Sequence, residues 1–349
     1  MKILVISDAW FPQINGVVRT LQATMRELHK MGHDCRIVGP DAARWCSFPA
    51  PVYSDVTLEF FARSRLRKII SEYKPDAINI ATEGPLGWAA RRLCLKEKRP
   101  FTTSFHTRFP EYLATQAPRG LKCAVLTIAY AVLRHFHAPS SAVMVATPSI
   151  ENALRKRSFN RLVRWSRGVD TNTFRPTGKM LDTYAGLPRP ILLCVGRVTA
   201  EKNLPDFLAL KTPGSKVVIG DGPEAAKLIA QYPDVRFLGL IEDGETLARH
   251  YAAADLFVFP STTETFGMVL LEACAAGLRI ASYPSPGPSD IFADPATRRF
   301  AVLDKDLQKA VDQALALPDN PEAPRRFAEG FSWKACTEQF CRHLRAETL

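Results

Sequence analysis

Ten short β-rich runs, each closing in a loop and most followed by a helical stretch, restrict what this chain can become more than any other feature. Five lie in the first half: KILVISD (2–8), DCRIVGP (34–40), DAINIAT (76–82), PFTTSFH (100–106) and AVMVATP (142–148). Five lie in the second: PILLCVGRV (190–198), SKVVIGDGP (215–223), VRFLGLI (235–241), ADLFVFPST (254–262) and LRIASYP (278–284). Continuous apolar runs of this length predict strands buried on both faces, and strand–helix–strand alternation predicts parallel sheets joined by right-handed crossovers. The first unit is explicit: KILVISD, a loop, the helical pattern VRTLQATMRELHKMG ending at Gly32, then DCRIVGP. At about 100–200 residues per domain, 349 residues predict two doubly wound α/β domains. The Gly- and Pro-containing stretch GVDTNTFRPTGK (168–179) marks their boundary.

Hydrophobic residues make up 46% and charged residues 23% of the chain, which excludes a disordered, collagenous or coiled-coil protein. The longest strongly apolar stretch, TIAYAVL (127–133), is far shorter than the ~20 residues that cross a bilayer. The opening MKILVISDAW lacks the apolar core and small-residue cleavage site of a signal peptide, so the expected location is the cytoplasm. There the eight cysteines, without a C-x-x-C or a metal-ligand rhythm, are expected to stay reduced.

Charge is uneven. Residues 1–175 hold 27 Lys and Arg against 13 Asp and Glu, a balance of +14, while residues 176–349 carry −3. Two clusters stand out: Arg63, Arg65, Arg67 and Lys68, and Arg155, Lys156, Arg157, Arg161 and Arg164. Such a field steers anionic partners, and its plain alternative is a pair of solvated helix faces. Between Arg119 and His137 the chain reads RGLKCAVLTIAYAVLRHFH, apolar with basic ends and the aromatics Tyr130 and Phe136. That pattern fits either a helix of the N-terminal core or one lying at a membrane interface. No nucleic-acid-binding motif accompanies the charge, and none is expected as a partner.

In open α/β sheets ligands bind beyond the carboxyl ends of strands. PSTTETFGMVLLEACAAG (260–277) places Glu264 in a loop after a strand, Gly267 where backbone can approach a ligand, and Glu272 inside the next helix, about two turns beyond Glu264. The helix start offers amides and a partial positive charge to phosphate, and the carboxylates can accept sugar hydroxyls. VGRVTAEKNL (195–204) adds Arg197 and Lys202, two cations able to offset a diphosphate. GDGP (220–223) turns at another strand end, and Gly16 opens the first helix.

In order along nearly the whole chain, the Gly16 loop, SFHTRFPEY (104–112), SRGVDTNTF (166–174), VGRVTAEKN (195–203), GDGP and ETFGMVLLE (264–272) together resemble one family. It is the retaining nucleotide-sugar glycosyltransferases of family four, of the two-Rossmann (GT-B) type, which includes bacterial lipid glycosyl- and mannosyltransferases. The resemblance implies two Rossmann-like domains facing a central cleft. Residues 1–167 would bind the acceptor, residues 168–332 the donor, and a helix in 333–349 would return to the first domain. It implies a UDP- or GDP-linked sugar as substrate, with no cofactor and no metal. Arg197 and Lys202 match the pair on the donor diphosphate, Glu272 the carboxylate on the ribose hydroxyls, and Glu264 the acid at the donor sugar. Backbone amides near Phe266, Gly267, Met268 and Val269 would meet phosphate or sugar. His106 matches a histidine that orients the sugar.

Two positions depart from the pattern. Asn15 precedes Gly16 where many members have Gly-Gly, and SPGPSD (285–290) replaces a Gly-Gly-Pro loop, with Pro286 in place of a glycine. Asp304-Lys305-Asp306 has the form of a metal-binding Asp-x-Asp, but it precedes the helical DLQKAVDQAL and reads as a helix cap. The charged first half suggests a membrane glycerolipid acceptor and docking on an anionic cytoplasmic leaflet, with a soluble saccharide or small molecule as the alternative acceptor. A sugar-nucleotide epimerase or a non-catalytic lipid-binding protein would not need this set of motifs. An NAD-dependent oxidoreductase lacks its G-x-G-x-x-G after the first strand.

Overall fold

A computed structural model describes residues 1–11, 15–41, 47–49, 57–178 and 181–345. Its backbone forms two compact units, one of Met1–Ser166 with the helix Trp333–Arg345, the other of Arg167–Ser332. Unit 1 runs β1 (Lys2–Ile6), α1 (Gly16–Lys30), β2 (Asp34–Val38), the antiparallel pair β3 (Ser47–Pro49) and β4 (Thr57–Glu59), α2 (Arg63–Tyr73), β5 (Ala77–Ile80), α3 (Pro85–Lys96), β6 (Thr102–Phe105), α4 (Phe109–Gln116), α5 (Lys122–His137), β7 (Val143–Val145), α6 (Pro148–Arg155) and β8 (Leu162–Arg164). Unit 2 runs β9 (Ile191–Val195), α7 (Leu204–Leu208), β10 (Ser215–Ile219), α8 (Ala225–Gln231), β11 (Arg236–Phe237), α9 (Gly244–Ala253), β12 (Leu256–Phe259), α10 (Met268–Ala275), β13 (Arg279–Ser282), α11 (Pro286–Ile291), β14 (Ala301–Leu303), α12 (Leu307–Ala316) and α13 (Glu322–Glu329). The helix Trp333–Arg345 is α14.

Each unit is built on a six-stranded parallel sheet, ordered β2-β1-β5-β6-β7-β8 in unit 1 and β11-β10-β9-β12-β13-β14 in unit 2. All ten runs read from the sequence enter these sheets. In both, the connections from neighbouring strands leave in opposite directions at one point, between β1 and β5 and between β9 and β12. Those switch points are where such sheets open a crevice for a ligand.

Strand alternation sorts the core of unit 1 into two layers. Leu4 and Ile6 of β1 join Leu66 and Ile70 of α2 and Leu86 and Leu93 of α3 on one face. Ile3 and Val5 join Leu21 and Leu28 of α1 on the other, where Phe340 and Leu344 of α14 complete the layer. The last helix therefore belongs to the core of the first unit, and Trp165, after β8, meets Phe340 at 4.8 Å between ring centroids.

The charged and apolar surface of unit 1 differs from a simple reading of the sequence. Much of each basic cluster is engaged within the unit. Arg65 reaches the buried Glu59 carboxylate and the Gly39 carbonyl, Arg155 pairs with Glu151 at 2.8 Å, and Arg161 donates to the Ser140 carbonyl at 2.8 Å. Arg157 lies over the Tyr130 ring at 4.2 Å. Helix α5 divides along its length: Tyr130, Leu133, Phe136 and His137 are buried, whereas Leu121 just before it, Ile128 and Val132 are 55%, 64% and 48% exposed. The buried residues belong to the core of unit 1, as one reading of that segment expects, and the exposed ones form an apolar surface outside it. No helix among the described residues is long and apolar enough to cross a membrane, and the seven described cysteines are all free thiols. Cys46 lies outside the described residues.

Asp8, in the loop after β1, illustrates how the switch point of unit 1 is filled. Its carboxylate accepts from the Leu86 and Gly87 amides at 2.8 and 3.1 Å and from the Thr82 hydroxyl at 2.9 Å, capping α3. Burial pushes its pKa up to about 6. A carboxyl group raised in the folded state favours folding most when protonated, so its contribution is full below about pH 4 and is lost as pH rises to about 6. At about 1.4 kcal/mol per unit, that is roughly 3 kcal/mol across the window. We expect Asp8→Asn to flatten the fall in stability between pH 4 and pH 6 measured by denaturant unfolding. An unchanged slope would show that Asp8 titrates as it does in the unfolded chain.

Candidate functional site

Two loops meet at the carboxyl edge of unit 2, one after β9 and one after β12. The first, residues 196–203, carries Arg197 and Lys202; the second, residues 260–267, carries Glu264. Ser261 and Thr263 hydroxyls each donate to the Glu201 carbonyl at 3.4 Å, and the Asn203 side-chain carboxamide donates to the Pro260 carbonyl at 3.4 Å. Lys202 and Glu264 complete the seam as a direct ion pair, both side chains about a fifth exposed. Their partial burial raises the strength of the pair above that of a solvated one.

A third loop supports the first. The Gly196 amide donates to Ile219, the Val198 amide to Asp221, and the Glu224 amide back to Val198. The GDGP turn thus holds the backbone from which Arg197 projects.

Gly267 takes φ +94°, ψ +65° immediately before α10, a left-handed conformation that glycine reaches without steric cost. It stands at the N-cap and supplies no side chain to the first amides of α10. Phe266 and Gly267 are buried and Met268 and Val269 half-buried. Helix α1 begins differently: Asn15 caps it, its carboxamide oxygen accepting from the Val17 and Val18 amides at 3.0 and 3.1 Å. Asn15 therefore occupies two of the amides that the start of α1 would otherwise offer, beside Gly16, itself exposed at the helix start.

Glu272 lies one turn into α10, is 7% exposed, and accepts a hydrogen bond from the Tyr251 hydroxyl at 3.0 Å. Nothing in the sequence marks Tyr251, because it stands 21 residues away on another helix. His106, after β6, is 8% exposed and meets the Trp165 ring edge-on at 5.6 Å. Trp165 rests on Phe340, so α14 braces the histidine's platform. Of the residues picked out by sequence, Gly16 and His106 belong to unit 1, and Arg197, Lys202, Glu264, Phe266, Gly267, Met268, Val269 and Glu272 to unit 2.

SPGPSD, expected as a loop, forms the short helix α11. Pro286 and Pro288 sit in its first turn, where an amide has no intrahelical partner, so the prolines cost no hydrogen bond. A Cβ on Gly287 would stand 2.5 Å from the Phe266 carbonyl oxygen. The glycine that survives from the family's pattern is thus the one whose missing side chain lets α11 lie against the 264–267 turn. Asp306 caps α12, accepting from the Gln308 and Lys309 amides at 2.9 and 3.3 Å, and Asp304 accepts from the Asp306 amide at 3.0 Å. These bonds pull the Asp304 carboxyl below its usual range. No cluster of three potential metal ligands occurs among the described residues.

Residues 14–173 match Glycosyltransferase Family 4, and residues 185–330 match Glycosyl transferases group 1. The chain is 27% identical to a sulfoquinovosyl transferase of Arabidopsis thaliana over 96% of its own length and 71% of the relative's. It is 25% identical to a GDP-mannose-dependent alpha-mannosyltransferase of Mycobacterium tuberculosis, covering 99% and 97%. With an alpha-monoglucosyldiacylglycerol synthase of Streptococcus pneumoniae it shares 27% identity over 92% and 80%. Among solved structures, a sucrose-phosphate synthase from Thermosynechococcus elongatus superposes with a TM-score of 0.76 at 18% identity, covering 99% and 98%. An Anabaena protein in complex with UDP-glucose does so with a TM-score of 0.71 at 14% identity, covering 99% and 100%. These likenesses establish the GT-B fold.

Gly287→Ala forces a methyl group against backbone and is expected to destabilise unit 2 by about 1–3 kcal/mol. Gly120→Ala, where an added methyl meets nothing within 4 Å, is expected to change stability by no more than about 0.5 kcal/mol. Thermal unfolding compares the two, and equal effects would refute the tight approach of α11 to the Phe266 turn.

Proposed function

The chain belongs to the glycosyltransferases of family 4 and group 1, and on that premise we propose that it moves a hexosyl unit from a UDP- or GDP-linked sugar to a membrane glycerolipid, with retention at the anomeric carbon and without a metal ion. The observation that carries the donor reading is the meeting of Lys202 and Glu264 across the β9/β12 switch point, directly beside the Gly267 start of α10. A diphosphate there would take Lys202 from Glu264 and be met by Arg197 and the α10 amides. Cleavage of the sugar–phosphate bond leaves negative charge on that diphosphate, and these groups are aimed where it develops. Released from Lys202, Glu264 is left to position the sugar. Glu272 accepts the ribose hydroxyls. The acceptor hydroxyl attacks from the face the phosphate leaves, and no enzymic nucleophile is assigned.

The lipid acceptor draws support from two sources. The pneumococcal relative is by name a glucosyldiacylglycerol synthase. Unit 1 presents an apolar stripe of Leu121, Ile128 and Val132, with Phe109 of the adjoining α4 at 47% exposure and exposed Lys122 and Arg134 on α5. Apolar contact with basic flanks is the composition of an interfacial helix, and each basic residue near an anionic surface contributes about 1 kcal/mol. The protein would thus act peripherally on the cytoplasmic leaflet, where a nucleotide-sugar is also available.

Glu272→Ala and Lys202→Ala are expected to weaken donor binding about ten- to a hundredfold, the equivalent of one hydrogen bond to a charged group. Calorimetric titration with UDP- and GDP-hexoses reads the affinity, and a transfer assay containing EDTA reads turnover. Wild-type affinity in both variants would reject the donor site. Complete loss of transfer in EDTA, restored by Mg²⁺ or Mn²⁺, would reject the metal-free mechanism.

Vesicle co-sedimentation tests docking. Binding to anionic vesicles is expected at low salt, weakened at high salt, and reduced by Ile128→Glu with Val132→Glu. A protein that ignores anionic vesicles at every salt concentration would return the acceptor to a soluble saccharide or small molecule.

A further inference from the structure

The carboxylate assigned to the ribose is held by a side chain that the donor motifs do not include. Tyr251 lies on α9, is fully buried, and donates its hydroxyl to Glu272 at 3.0 Å. Its ring meets Phe174 edge-on at 5.6 Å and Phe257 of β12 at 5.6 Å. A ring braced on two neighbours cannot swing away, so the hydroxyl is a fixed point. The carboxylate it meets is not intrinsically fixed, because the terminal torsion of a glutamate is broad. Burial adds a requirement: a carboxylate removed from water needs hydrogen-bond donors in place. A donor fixed on Oε2 restricts the plane of the group.

We infer that Tyr251 is a positioning residue for recognition of the ribose, fixing the Glu272 carboxylate so that it accepts from the vicinal hydroxyls of a ribonucleoside diphosphate. This rests on the reading of Glu272 as the ribose-binding carboxylate. The pair is an acceptor already oriented before the ligand arrives, which lowers the ordering cost of binding. It therefore favours a ribonucleotide over its deoxy counterpart. Phe174 lies in the SRGVDTNTF segment, and Arg325 donates to the carbonyls of Thr171, Phe174 and Ala275 at 3.3, 3.5 and 3.2 Å. The segment that braces the tyrosine is thereby tied to the end of the helix that bears Glu272.

The test measures binding of UDP and GDP, and of their 2′,3′-dideoxy forms, to wild type, Tyr251→Phe and Glu272→Gln. Tyr251→Phe keeps the ring and removes only the hydroxyl. It is expected to weaken the ribose form about tenfold, leave the dideoxy form unchanged, and so reduce the wild-type preference by the same factor. Equal weakening of both forms would mark Tyr251 as a packing residue and overturn the inference. Loss of the preference in Glu272→Gln with its retention in Tyr251→Phe would overturn the role of Tyr251 alone. Retention of the preference in Glu272→Gln, or failure of wild type to bind either diphosphate, would overturn the ribose reading and the inference with it.

Discussion

In unit 2, β9 and β12 lie side by side while their connections leave in opposite directions, and every candidate group there depends on that arrangement. Parallel pairing of Leu256 with Leu192 and of Phe257 with Leu193 brings the two strand ends to one edge. The loops that follow have no neighbour between them, so they meet each other. Hydrogen bonds from the Ser261, Thr263 and Asn203 side chains to carbonyls of the facing loop stitch the two together, and the Lys202–Glu264 pair closes the seam. The site is thus a property of sheet topology first and of side chains second. The side chains supply charges of the right sign at a place the strand order has already opened.

The two units manage equivalent positions in opposite ways. At the switch point of unit 1, Asp8 occupies the first amides of α3, and Asn15 takes two amides at the start of α1. At the switch point of unit 2, the helix after β12 starts at a glycine that has no side chain to offer. A helix start already satisfied by a carboxylate or carboxamide has little left for a phosphate, whereas one without a side-chain cap retains its partial charge for a ligand. The diphosphate site proposed above thus lies at the helix start that has no side-chain cap. The difference also gives the Asn15 departure a local cause, since Asn is among the strongest helix N-caps.

How much of this was legible in the sequence follows from the range of each interaction. Apolar runs such as ILLCV and LFVF are local signals of strands buried on both faces, and all ten appear in the two sheets. Gly267 and the residues around it were legible because loop, turn and helix start are contiguous. Tyr251 was not, because its role depends on a partner brought near only by folding. Nor was α11, whose prolines read as a break yet fit a helix whose first turn needs no amide donors. Nor were the partners of the basic clusters: a count of arginines records charge but not that Arg65 is bound to a buried glutamate or Arg161 to a carbonyl.

Helix α5 shows why composition alone leaves a segment like this ambiguous. Its buried residues, Tyr130, Leu133, Phe136 and His137, crowd the C-terminal half, where His137 lies within 2.8 Å of Thr103 and 3.2 Å of Glu83. Ile128 and Val132, on either side of the middle of the helix, stay outside, a stripe that the core of its own unit does not use. Apolar side chains kept in water forfeit about 25 cal/mol per Å² of burial, so a folded chain gains nothing from them in isolation. Scattered exposed apolar residues are ordinary, but these lie one turn apart on one helix, beside Leu121 and flanked by Lys122 and Arg134. The flanking charges would keep such a stripe soluble in the absence of a surface and, in the docking proposed above, would strengthen its attachment to an anionic one. Both effects act through the same residues, so salt would weaken attachment without altering the fold.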